Sequence, residues 1–88
     1  MLAIVVCVWH PATDEPLFEG ASASLSIQAV RKVVGPSFPE DPEPMTAYPV
    51  TERQGRSLLR MMRKKFSGEG DFQVSREPLT AAVSNGRH

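Results

Sequence analysis

Apolar residues run almost without interruption from Leu2 to Trp9 (LAIVVCVW) and stop at His10-Pro11. Such a run, rich in Val and Ile, is too short for a buried helix and reads as a central strand. His10–Pro16 (HPATDEP) supplies turn residues, and Leu17-Phe18-Glu19 follows. This order predicts a hairpin whose second strand is Pro16–Glu19. Further on, Phe72–Arg76 (FQVSR) alternates apolar and polar positions, predicting a third short strand closed by Pro78.

Between these strands the period changes. Ala21, Ala23, Leu25, Ile27 and Ala29 alternate with Ser22, Ser24, Ser26 and Gln28, which has the period of a half-exposed strand. From Ser24 onward a helix fits as well: Ser24 is an N-cap residue, Ile27, Val30, Val33 and Val34 share a face, and Gly35-Pro36 is a stop. The end signals are specific to helices and favour one over Leu25–Val34, with Gly20–Gln28 open to either reading. A second helix is predicted over Thr51–Phe66, where Thr51 and Gln54 have capping-box spacing and Glu52 lies in the first turn. Ser67-Gly68 would end it. The intervening Pro36–Pro49 (PSFPEDPEPMTAYP) holds five of the eight prolines and reads as an extended connector without regular structure. Phe38, Met45 and Tyr48 are expected to pin it to the body.

The fold expected is therefore α+β: a small antiparallel sheet of about three strands, packed on one face by two helices. Residues 1–78 would form one domain, with the 36–49 connector inside it and 79–88 as a flexible C-terminal tail. Eighty-eight residues suffice for a single small core. The Leu2–Trp9 run lacks a basic flank and is too short for a membrane span or signal core. With one cysteine, Cys7, and hence no internal disulfide, a cytoplasmic location without membrane contact is expected.

The net charge of zero conceals segregation. Residues 1–52 carry seven acidic side chains against two basic ones; residues 53–88 carry eight basic against three acidic. Six basic residues and no acidic one fall within Arg53–Phe66 (RQGRSLLRMMRKKF). On a helical wheel Arg53, Arg56, Arg60, Arg63 and Lys64 fall in an arc of about 100°, with Gly55, Leu58, Leu59, Met62 and Phe66 roughly opposite. Such a helix docks through its apolar side and presents a cationic ridge. Glu40, Asp41 and Glu43 of the connector are the intramolecular carboxylates that could neutralise it.

Other chemistry is sparse. Cys7, His10 and Asp14 invite a nucleophile–base–acid reading, but a thiol inside the most apolar strand is inert and spacing alone assembles no triad. Cys7, His10 and His88 lack the paired spacing of a metal site, and the PEDPEP turn lacks the glycine-pinned spacing of a calcium loop. Gly68 and Gly70 follow a helix instead of preceding one, so they form no phosphate cradle. Pro36-x-x-Pro39-x-x-Pro42 has no basic anchor beside it and reads as connector. Trp9 reads as core or rim packing.

No catalytic residue, metal or cofactor is expected, and the chain reads as a non-enzymatic binding or regulatory module. Its partner-binding residues would be Arg53, Arg56, Arg60, Arg63 and Lys64, directed at an acidic protein surface. The alternatives are DNA or RNA phosphates against the same residues, or a structural homodimer through a sheet edge.

Overall fold

A computed structural model describes residues 2–78. The apolar N-terminal run is strand β1 (Leu2–Trp9), followed by β2 (Pro16–Ser22), helix α1 (Ile27–Val34), β3 (Tyr48–Val50), helix α2 (Glu52–Met61) and β4 (Asp71–Pro78). The strands form one antiparallel sheet in the order β2-β1-β4-β3. The α+β expectation holds, with one strand more than anticipated. Residues 79–88, read from the sequence as a tail, lie outside the described residues. No helix among the described residues is long and apolar enough to cross a membrane.

β1 is interior, as its unbroken apolar run implies. It pairs with β4 along its whole length, from Leu2 opposite Pro78 to Trp9 opposite Asp71, and with β2 on its other side. Side chains alternate between the two faces of a strand. Ile4, Val6 and Val8 join Phe72 and Val74 in the core with Val30 of α1 and Leu58 and Leu59 of α2. Ala3 and Val5, on the opposite face of β1, are also buried. Both faces of β1 are thus withdrawn from water, which is why its sequence shows no alternation.

Gly20–Gln28 is divided between the two readings. Gly20–Ser22 completes β2, and Ser22 Oγ then accepts the backbone N–H groups of Ser24 and Leu25, turning the chain. Ser24 is consumed in that turn, so the N-cap of α1 is Ser26, whose Oγ accepts Ala29 N–H at 3.1 Å. Gly35, at φ 98°, closes α1 as expected.

The connector is more ordered than its proline content suggests. Tyr48-Pro49-Val50 pairs with β4 at the sheet edge, a position where proline's missing donor costs no ladder bond. Phe38 is buried, stands edge-on to Tyr48 at 5.2 Å, and accepts Arg31 Nε at its carbonyl. Pro42 is buried as well. Met45 anchors through its backbone, N–H to Arg76 O at 2.8 Å, while its side chain stays 60% exposed. Of the three expected pins, Phe38 and Tyr48 act through side chains and Met45 does not.

Helix α2 begins with the expected capping box: Gln54 N–H donates to Thr51 Oγ1 and Thr51 N–H to Gln54 Oε1. It ends earlier than expected, at Met61 and not near Phe66. Arg63 N–H reaches Arg60 O, Lys64 N–H reaches Leu59 O, and Arg63 takes φ 61°. This is a Schellman termination with arginine where glycine is usual. Without that glycine the stop is invisible in the sequence. The early stop turns Phe66 into the core edge, 5.5 Å from the Phe18 ring and 6.2 Å from Phe72.

Candidate cationic groove at the end of the second helix

The Schellman turn rearranges the cationic ridge. Arg53 and Arg60 are exposed on α2, whereas Arg63 and Lys64 stand on the loop beyond it and are also exposed. The loop folds back beside the helix and encloses a groove of about 310 Å³ lined by Arg56, Leu59, Arg60, Lys64, Lys65, Phe66 and Ser67. Phe66, half-buried, supplies apolar surface between the basic groups, whereas Leu59 behind it is buried in the core. Gly20 of β2 makes room for Lys64: a Cβ there would stand 3.0 Å from Lys64 Cδ. The lysine stem therefore runs along the sheet edge while its exposed end reaches water.

Arg56 plays a different part from the one expected. Its Nε donates to Glu52 Oε2 at 3.0 Å, and its two terminal nitrogens donate to the carbonyls of Phe66 and Gly68. The guanidinium carbon lies 5.4 Å from the Phe72 ring centroid, within cation–π range. Arg56 does not point away; it ties the returning loop to the helix and forms one wall of the groove. Arg56→Ala is expected to cost about 1–3 kcal/mol, the scale for losing charge-assisted bonds from a partly exposed group. Amide exchange at Gly68–Gly70 should accelerate in that variant. Unchanged urea unfolding and exchange would remove this role. Lysine cannot replace the fork, so Arg56→Lys should recover only part of the loss.

Of the two readings left open, neutralisation of the ridge by Glu40, Asp41 and Glu43 does not occur; the one ridge cation with a carboxylate among the described residues is Arg56, on Glu52 of its own helix. Glu40 pairs with Arg31 at 3.2 Å and Asp41 with Arg76 at 3.0 Å, both away from the groove. Among the described residues, no carboxylate lies within ion-pair distance of Arg53, Arg60, Arg63, Lys64 or Lys65. Of the five residues singled out from the sequence, Arg56, Arg60 and Lys64 line the groove; Arg53 and Arg63 do not. Lys65 and Ser67 were missed, and Phe66 was assigned only to the docking side, because a helix drawn through Phe66 places Lys65 off the basic arc and ends before Ser67. The missing signal was the αL corner at Arg63.

The Cys7–His10–Asp14 reading finds no geometric basis. His10 Nδ1 accepts the backbone N–H groups of Ala12 and Thr13, so it caps the turn after β1. Cys7 lies on the sheet face away from the helices, beside a cavity of about 250 Å³ that Trp9, Glu19 and Glu77 also line. Burial, then the Glu19 and Glu77 charges, push its thiol up to about 11. At neutral pH the thiol is protonated and unreactive. Labelling of the folded protein by a thiol-specific disulfide reagent should be about 100-fold slower than in denaturant, following the thiolate fraction. Equal rates would show that Cys7 is open and ionised. Burial and Glu77 also raise the Glu19 carboxyl above its usual value.

Among the described residues, no group of three His, Cys, Asp or Glu side chains is placed to hold a metal ion. Comparison with protein-family models, with curated proteins and with solved structures yields no match, so the functional reading rests on this geometry.

Proposed function

We propose that this chain is a non-enzymatic binding module of the cytoplasm that docks its cationic groove on an acidic surface of a protein partner. The observation that carries the reading is a concavity whose rim cations, Arg60, Lys64 and Lys65, have no carboxylate partner among the described residues, set around the half-buried ring of Phe66. An apolar floor between cations favours a polypeptide, which brings carboxylates and apolar side chains together. A phosphate backbone would leave that floor uncovered.

Fluorescence anisotropy with two probes tests this: a peptide of mixed Glu and Leu, and a duplex DNA oligonucleotide. The peptide should bind at low salt, and Arg60→Glu with Lys65→Glu should weaken it at least about tenfold, or about 1.4 kcal/mol. Both positions are exposed, so the fold should persist by circular dichroism. DNA binding with a log–log salt slope of about −4.5, for about five phosphate contacts, and no peptide binding would replace this reading with nucleic-acid recognition.

A further inference from the structure

The acidic surface that the groove takes need not come from another protein, because the chain carries one of its own that makes no ion pair with the groove cations in cis among the described residues. Glu40-Asp41-Pro42-Glu43-Pro44-Met45 is held beside Arg31 of α1 and Arg76 of β4. The groove lies toward the other end of β4, where Arg56 stands over Phe72 and Phe66 packs beside it. From Phe72 to Arg76 the strand runs four residues, about 13 Å. That distance exceeds the Debye length of about 8 Å at physiological salt, so attraction between the two exposed charged regions is largely screened within one molecule.

The acidic segment is built for display. Pro42 is buried and fixes it, while the Glu40 and Asp41 side chains are 83% and 92% exposed and Glu43 is exposed. Glu40 and Asp41 each use one carboxylate oxygen on their arginine, leaving acceptor capacity on the other. Glu43 has no cation partner among the described residues. Met45 follows with φ 70°, a left-handed conformation costly for a side-chain-bearing residue, and is the most exposed large apolar side chain described. Three carboxylates and a thioether, pre-ordered by prolines, match the cations and the half-buried Phe66 ring between them in charge and polarity. Their ordering entropy is already spent, which favours association.

We propose that the groove's partner is the Glu40–Met45 segment of a second copy of this chain. The proposal rests on the groove being an acid-binding surface and names what it binds. Groove-to-loop contact is heterologous, so each contact leaves one groove and one loop free to continue.

Sedimentation velocity over a concentration series tests it with two variants. The first, Glu43→Lys with Met45→Ala, removes the segment's unpaired carboxylate and its thioether and reverses one charge, but keeps the groove. The second, Arg60→Glu with Lys65→Glu, lacks the groove but keeps the segment. The unaltered chain should gain mass with concentration at low salt and revert to monomer at raised salt. Each variant alone should stay monomeric, and an equimolar mixture should form a one-to-one complex. A monomeric unaltered chain at every concentration would overturn the proposal, as would undiminished association of either variant. If that monomer still binds the Glu/Leu peptide, the groove reading survives and only the choice of partner fails. If it binds neither, both fail.

Discussion

Replacing Phe38 by alanine should lower the unfolding free energy by about 3–5 kcal/mol, the range for emptying a fully buried phenylalanine site. The side chain is 1% exposed, belongs to the same core cluster as Val6, Val30 and Leu58, and meets Tyr48 edge-on at 5.2 Å. Its truncation would open a cavity between the connector and the sheet and free the segment that leads into β3. Small domains have only about 5–15 kcal/mol in total, so the variant should be substantially unfolded near physiological temperature. Urea unfolding of Phe38→Ala beside Phe38→Leu measures it, with the leucine variant losing less. A loss below about 1 kcal/mol for alanine would show that the connector is not part of the core.

Gly55→Ala gives opposite signs in one-dimensional and three-dimensional accounts. Helix propensity alone assigns alanine a gain of about 1 kcal/mol inside α2. The fold assigns a loss. A Cβ at Gly55 would stand 2.2 Å from Phe72 Cδ2, 2.7 Å from Cγ and 2.9 Å from Cβ. Those atoms include the root of a buried side chain and cannot swing aside, so the helix must lift from the sheet. Overpacking of this kind costs about 1–3 kcal/mol, and the severity of the overlap places Gly55→Ala at or above the upper end. Lifting the helix would also disturb the Arg56 contact over Phe72, so the groove should loosen along with the core. Gly20→Ala is the control. There the nearest atom, at 3.0 Å, is Cδ of a flexible lysine, and the loss should be smaller. Stabilisation by Gly55→Ala would contradict the packing of α2 on β4.

The contrast at Gly55 illustrates why some elements were legible before the structure and others were not. Signals confined to a few neighbouring residues were read correctly. The Thr51–Gln54 capping box, the Gly35 stop and the continuous apolar run of β1 each carry their meaning in local chemistry. Errors arose where a local signal was absent or shared. Ser24 and Ser26 are equally good caps, and only the turn built on Ser22 assigns the role to Ser26. The last turn of α2 ends on an arginine in the left-handed region, which no propensity foretells. Pro49 spoke against a strand, yet an edge position tolerates it.

The candidate site divides in the same way. That the segment after Thr51 is cationic on one side and apolar on another follows from residue order and helical period alone. So do the separation of charge between the two parts of the chain and the interior place of β1, because each depends on side-chain chemistry and spacing and not on distant neighbours. Tertiary structure decided the rest. It folded Arg56 inward onto loop carbonyls and assigned Glu40 and Asp41 to Arg31 and Arg76. It also replaced a straight ridge with a groove closed by Lys65 and Phe66. Those outcomes depend on which groups the chain reversal brings within a few ångströms, and ion pairing and packing respond to that proximity and not to position along the sequence.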